Sequence, residues 1–422
     1  MRVWWGAVAA ALVLVSSTGA SALSVEVGGQ VKAAARGIAY DDDDVRGTLD
    51  PVGESPYDDL ESSAGFRVAS RTEIVPTLTL DVDYELFYEG GDATKRRSDL
   101  AGAGLSVPGD ARGDEDRYRL FDLTSVISDS SHHRTVHRLD RLSLNKELGN
   151  LDLRIGRQAV TWGGGLLFNP MDLINPFSPT DTLRDYKAGD DLASLRYTTA
   201  RGMELQVIGR PGREAATGDV SSDGSSYATK LHGTFGSLEG DILLGNQRGH
   251  SLSGVGFSGY AGEAAWRSDL VVSDEDGGTL SAVVNMDLSW VAWDRNWYGL
   301  VEFYHNGYGT SNYAAALTDP DTLERLDRGE VFTLGKNYLA ARVQLEAHPL
   351  VNLTLTAITN TGDPSGILQP SVIWDARQDL RLDMVAQLPW GGSETEYGGF
   401  SLPGGGWLAP AEELIVRGTW FF

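Results

Sequence analysis

Residues 77–88 read TLTLDVDYELFY. Leu78, Leu80, Val82, Tyr84, Leu86 and Tyr88 share one parity, and Thr77, Thr79, Asp81, Asp83 and Glu85 the other. A strand alternates its side chains, so this stretch is a ribbon with one apolar and one acidic face. The pattern returns at 280–290, where Leu280, Ala282, Val284, Met286, Leu288 and Trp290 alternate with polar or smaller residues, and at 379–390, with Leu380, Leu382, Met384, Ala386 and Leu388. Strands of soluble proteins usually run about five or six residues, whereas a tilted membrane strand needs roughly 9–11. The long alternating runs therefore constrain the fold to two classes. Apolar outward, they build a transmembrane barrel with a polar lumen; apolar inward, a soluble sandwich or solenoid.

The N-terminus favours the barrel. Arg2 precedes an apolar run from Trp4 to Val15, and Ala20-Ser21-Ala22 is a small-residue cleavage site. Residues 1–22 are therefore expected to be a secretory signal peptide and residues 23–422 the barrel. No later stretch approaches the ~20 apolar residues of a helical span. The chain has no cysteine, so its stability cannot come from disulfides. A closed barrel, with every backbone group paired, supplies it another way. The formal charge of −24 argues against a nucleic-acid partner. It fits acidic loops that either hold divalent cations or simply keep the surface soluble.

Eighteen strand segments can be marked, an even number, as chain ends on one side require; sixteen is the alternative count. Short connections alternate with long polar, glycine-rich ones at 41–61, 89–115, 163–190, 211–225, 309–336 and 391–411. The count does not alternate cleanly. Walking in from either end puts 163–190 on the side of the short turns. Either 116–148 holds a single spanning strand, or 253–271 is a folded hairpin, or both. The last strand, EELIVRGTWFF, would close the barrel, with Leu414, Val416, Trp420 and Phe422 toward lipid. Trp420 and Phe422 would form the signal read by the barrel-assembly machinery.

Several blocks resemble a family of proteobacterial outer-membrane, porin-like β-barrels of unknown function, related to the alginate-export porin. They are LDLRIGRQAVTWGGGLLFNPMDLINPFSP (151–179), WYGLVEFYHNGYG (297–309), the run 335–374 and QLPWGGSETEYGGF (387–400), about a quarter of the chain. The resemblance implies an all-β, monomeric barrel in the outer membrane of a Gram-negative bacterium. It implies no substrate.

The block after Arg157 breaks the alternation. Gly163, Gly164 and Gly165 loosen the backbone, and Pro170, Pro176 and Pro179 cannot donate to a ladder. Yet the block is rich in apolar residues, which a solvated loop would not choose. It is expected to fold into the lumen and narrow it, with Trp162, Leu166, Leu167, Phe168, Asn169, Met171, Asp172 and Asn175 at the constriction. Asp81, Asp83, Glu85, Arg154 and Arg196 are expected to be lumen charges, which either set the field of the pore or form an ion-pair network that stiffens it. In the first case the pore should prefer cations modestly. Arg157 falls on the lipid parity and is expected at an interface or a bulge.

Asp41 to Asp44 lack the spacing of a calcium loop and read as a solvated acidic loop. His132, His133 and His137 are close in sequence, but a strand would not bring them to one metal. No nucleophile, phosphate-loop or zinc motif is present, so no catalytic residue and no cofactor is expected. The expected function is a channel for passive diffusion of small hydrophilic solutes or ions. The alternative is a plugged structural barrel that scaffolds an envelope complex through a protein partner. The outer-membrane lipid is the expected surrounding in both.

Overall fold

The computed structural model describes residues 24–41, 43–48, 58–102, 116–182, 184–214, 217–403 and 405–422. The expected signal peptide lies outside them. The strands are β1 (Ser24–Ala39), β2 (Asp58–Val75), β3 (Leu78–Gly91), β4 (Thr124–Asp129), β5 (His133–Leu148), β6 (Leu151–Gln158), β7 (Asp190–Thr198) and β8 (Glu204–Arg213). Then come β9 (Val220–Phe235), β10 (Leu238–Gln247), β11 (His250–Ala261), β12 (Ala264–Ser273), β13 (Thr279–Ala292), β14 (Arg295–His305), β15 (Asn337–His348) and β16 (Val351–Asn360). The chain ends with β17 (Ser365–Asp375), β18 (Leu380–Trp390), a small ladder of β19 (Phe400–Ser401) with β20 (Trp407–Leu408), and β21 (Glu412–Phe421).

All but β19 and β20 join one antiparallel sheet of nineteen strands. β21 pairs with β18 on one edge and with β1 on the other, from Ala39↔Glu412 to Gln30↔Phe421, so the sheet closes. β4 and β6 lie end to end along one edge of β5. β6 takes Leu142 to Leu148, and β4 takes Arg134 to Arg138. They fill one position between them, so nineteen strands make eighteen positions round the wall. A closed wall has no free edge, and its backbone groups are satisfied without water.

Two corrections to the sequence reading cancel in the count. Residues 253–271 are not one strand but the hairpin of β11 and β12, turning at 262–263. Glycine already recurs at 254, 256 and 259 in this stretch, so Gly262 gave no contrast as a turn signal. Residues 116–148 hold one spanning strand, β5, and the short β4. With both changes the segment 159–189 falls at the same end of the barrel as the long connection 306–336. This is the loop end; the other carries both chain termini.

The apolar parity faces out. Leu244, Val284, Met286, Val301, Leu414 and Val416 are exposed, while their neighbours Leu243, Val283, Asn285, Leu300 and Ile415 are buried. Exposed aromatics gather toward both ends. Trp290, Trp293, Trp374, Trp420 and Phe422 mark the terminal end, and Tyr88, Tyr227 and Trp390 the loop end. That is the apolar band with two aromatic girdles of a membrane barrel.

Ion pairs stitch the inner face. Arg67 of β2 reaches Asp83 at 2.5 Å and Glu85 at 2.8 Å on β3, and Asp140 of β5 at 3.0 Å. Arg138 meets Glu85 and Arg141 meets Asp140, both at 2.6 Å. Six charges on three neighbouring strands neutralise one another.

Candidate pore constriction

β6 stops at Gln158, and the chain then turns into the barrel. Residues 116–123 and β4 occupy the space it leaves. Arg157 is buried at this junction, not at an interface. Its guanidinium grips Asp191 and Asp116 and donates to the Phe121 carbonyl. The backbone bends at Gly156, whose φ is 118°.

The inward segment is held to walls on opposite sides of the lumen. Trp162 donates its indole N–H to Gln206 of β8, and Gly164 N–H donates to Asp269 of β12 at 2.6 Å. Three successive amides, those of Leu166, Leu167 and Phe168, donate to the carboxylate of Glu302 on β14 at 2.7, 3.0 and 2.7 Å. Asn285 of β13 bridges the Gly164 carbonyl and Glu302 at 2.9 and 3.1 Å. Gly165 makes this nest possible, since a Cβ there would stand 1.8 Å from the Phe168 carbonyl oxygen. Phe168 stacks on Tyr304 with ring centroids 4.6 Å apart and on Tyr338 at 5.6 Å.

The segment then returns across β10, where Gln247 donates to the Leu173 carbonyl at 3.3 Å, and runs on to the far wall. Gln387 of β18 donates to Thr180 O at 3.1 Å, and Arg417 of β21 to Thr182 O at 3.2 Å. Asp185 sits between Lys32 of β1 at 2.5 Å and Arg417 at 3.0 Å. Arg67 lies over the Tyr186 ring, 3.6 Å from its centroid. Gly189 N–H returns the chain to Asp140 of β5 at 3.2 Å.

The side chains expected at the constriction divide. Met171 packs with Trp162, Leu173 and Ile174 against an apolar inner patch, Leu192, Ile208, Leu243, Leu252 and Val271 of β7 to β12. Leu167 and Phe168 pack on Leu300, Tyr338, Ala340, Ile358 and Ile367 of β14 to β17. Asp172 is buried against Lys187, whose ammonium also donates to the Val160 carbonyl. Burial pushes the Asp172 carboxyl up to about 6 despite that partner, and pushes the Lys187 ammonium down. Asn169 donates to Trp162 O at 2.7 Å, and Asn175, at φ 47°, donates to the carbonyls of Ala188 and Gly189 at 3.4 Å. These groups fasten the segment and do not project into open space. Leu166 does, being 41% exposed inside the wall; so do Phe177 and the Asp185 side chain, at 40% each.

Reasoning from sequence passed over Glu302, Asp269, Asn285, Asp185 and Lys187. It also missed the inner apolar patch, although a signal existed. The doublets Val207-Ile208, Leu243-Leu244, Val271-Val272 and Val283-Val284 put apolar groups on both faces of their strands, and in each the second face is buried inside.

The remaining charges also divide. Asp81 meets Arg71 at 2.8 Å and Arg154 at 3.6 Å, and Arg196 meets Glu204 at 3.7 Å. Asp83 and Glu85 are consumed by the arginines of β2 and β5. In the acidic stretch Asp44 is fully buried, not solvated; it holds Arg46 and the Ala409 N–H and so ties the first loop to the last. His133 stacks on Tyr88 and His137 on Tyr84, apart from one another. Among the described residues no three acids or histidines converge as cation ligands.

With this geometry in place, comparison with solved structures decides the fold. The BenF-like porin of Pseudomonas fluorescens Pf-5 superposes with a TM-score of 0.55 at 11% identity, over 94% of this chain and 98% of that one. Pseudomonas aeruginosa OccK9 (OpdG) gives 0.54 and Acinetobacter baumannii OccAB2 gives 0.53, both at 10% identity over the same shares. This is the porin fold. The likeness covers the whole barrel, and at such identity it speaks of architecture alone. No family model matches the chain, and neither does any curated protein.

Proposed function

We propose that this chain is an outer-membrane channel through which small hydrophilic solutes diffuse passively, with 159–189 as its constriction. The observation that carries the reading is the exposure of Leu166, Phe177 and Asp185. They lie inside the wall, at the level where the segment is bonded to both sides, and solvent still reaches them. A lumen packed shut would bury them. The buried residues Trp162, Leu167, Phe168, Met171 and Asp172 hold the segment in place, so that its outer contour, and not its own motion, sets the width of the passage.

The wall supports the same reading. Its outer band suits lipid, and its inner face is charged yet paired, so polar solutes meet a wetted surface of low net field. No chemistry is required of any residue. Kinship with the alginate-export porin is part of this proposal and rests on the 151–179 block. Reconstitution in planar bilayers is the test. Discrete conductance steps are expected. Silence at every voltage from correctly folded protein, together with tight co-purification of an envelope partner, would establish a scaffold instead.

A further inference from the structure

The mid-wall arginines of the lumen meet carboxylates: Arg67, Arg138, Arg141, Arg154, Arg267 and Arg417 each have one as a partner. Arg342 on β15 has none. Its Nε donates to Thr356 Oγ1 of β16 at 3.0 Å, which leaves its forked end, Nη1 and Nη2, without a protein acceptor.

The register places this arginine. Arg342 pairs with Thr356, and Thr356 pairs with Gln369 of β17. The neighbouring row, Ala340, Ile358 and Ile367, is the platform on which Leu167 and Phe168 rest. The row Arg342–Thr356–Gln369 thus faces the lumen one step to the terminal side of the inward segment. Gln369 is only 6% exposed, and its Nε2 has no hydrogen-bond partner. A buried donor without an acceptor is a costly state that folded proteins avoid unless something fills it. Adjacent strands stand about 4.8 Å apart, so Arg342 and Gln369 begin about 10 Å from each other and can close on a group lying over Thr356.

The row is rich in donors and poor in acceptors. The nearby acid Glu302 is saturated by three amides of the inward segment and by Asn285. Asp287, on the other side of Leu300, is engaged by Arg267 at 2.5 Å. We propose that Arg342, Thr356 and Gln369 form a binding subsite for the oxyanion group, carboxylate or phosphate, of a solute passing beneath the inward segment. A guanidinium fork suits two oxygens of one such group, and the Gln369 amide supplies a third donor. The idea rests on the channel reading for its purpose, though not for its chemistry.

The test separates the two. Full-length protein in detergent is titrated calorimetrically at low salt, once with succinate and once with inorganic phosphate. Saturable binding of at least one is expected, and the tighter anion identifies the group recognised. Arg342→Gln should weaken that Kd about tenfold, the scale of a charge-assisted hydrogen bond, and Gln369→Leu several-fold. Arg71→Gln removes the same unit of charge from a more exposed position beside Asp81 and should leave the Kd unchanged. Heat-dependent gel migration confirms that each variant is folded. Absence of binding for both anions, or equal weakening by Arg71→Gln, overturns the subsite. Conductance without binding would remove the subsite and keep the channel; binding without conductance would do the reverse.

Discussion

Phe422 lies across Gly29. The two exchange backbone hydrogen bonds of 2.8 and 3.0 Å, one step beyond the β1–β21 ladder, and a Cβ on Gly29 would stand 2.4 Å from the phenylalanine ring. The ring also stacks on Phe66 of β2, centroids 6.1 Å apart. The last residue therefore spans the seam where the sheet closes, and it needs a bare backbone beneath it.

Gly29→Val should lower the temperature at which the compact gel band is lost. Gly37→Val is the control, for it lies on the same strand with nothing within 4 Å of its would-be Cβ. Overpacking typically costs about 1–3 kcal/mol. Equal midpoints for the two variants would show that the seam tolerates displacement of the ring.

Glu302 is the strongest single tie of the inward segment. Removing its carboxylate in Glu302→Ala leaves three buried amides without an acceptor, at about 1–3 kcal/mol each. The barrel wall does not depend on these bonds. Single-channel recordings should show larger and noisier steps, and protease should cut within 163–181 in folded protein. Recordings like those of wild type would mean that the aromatic stack of Phe168 suffices.

Deletion of 164–178 tests the constriction itself. Conductance should rise severalfold. The deletion also uncovers the inner patch of Ile208, Leu243, Leu252 and Val271, so the barrel should lose some heat stability, unlike a loop that merely covers a mouth. Unchanged conductance would place the narrowest point elsewhere.

Much of this wall can be read from period two alone. Leu78 to Tyr88 and Leu280 to Trp290 announce their outer faces, because lipid demands an uninterrupted apolar side. The hairpin at Gly262 and the shared position of β4 and β6 could not be read, since both depend on where neighbouring strands end. The site was half legible. The glycines and prolines of 163–179 mark a departure from the wall, but apolar content cannot distinguish a residue that fills the pore from one that pins a segment to its side. Met171 and Phe168 do the second because Leu243 and Tyr338 wait for them on distant strands. Likewise the acids Asp83 and Glu85 read as a cation-attracting ladder, whereas Arg67 and Arg138 across the strand pairings cancel them. The modest cation preference expected from that ladder loses its basis.

The buried Asp172–Lys187 pair makes the docking of the segment sensitive to pH. Burial raises the Asp172 pKa to about 6 from an ordinary value near 3.8, so the docked state binds this proton more tightly than a free segment would. Stability from a raised pKa is present below the free value and is lost as pH climbs through the docked one. The window is therefore about pH 4 to 6, with the segment held more firmly at the acid side. Lys187 is shifted downward from 10.5, and its effect falls on the alkaline side. Limited proteolysis within 163–181 should be slower at pH 4.5 than at pH 7.5, scored with a protease active at both. Asp172→Asn carries no such proton and should flatten the difference while leaving the gel band intact. A pH dependence that persists unchanged in this variant would assign the effect to another carboxylate, with Asp185 beside Lys32 the next to be replaced.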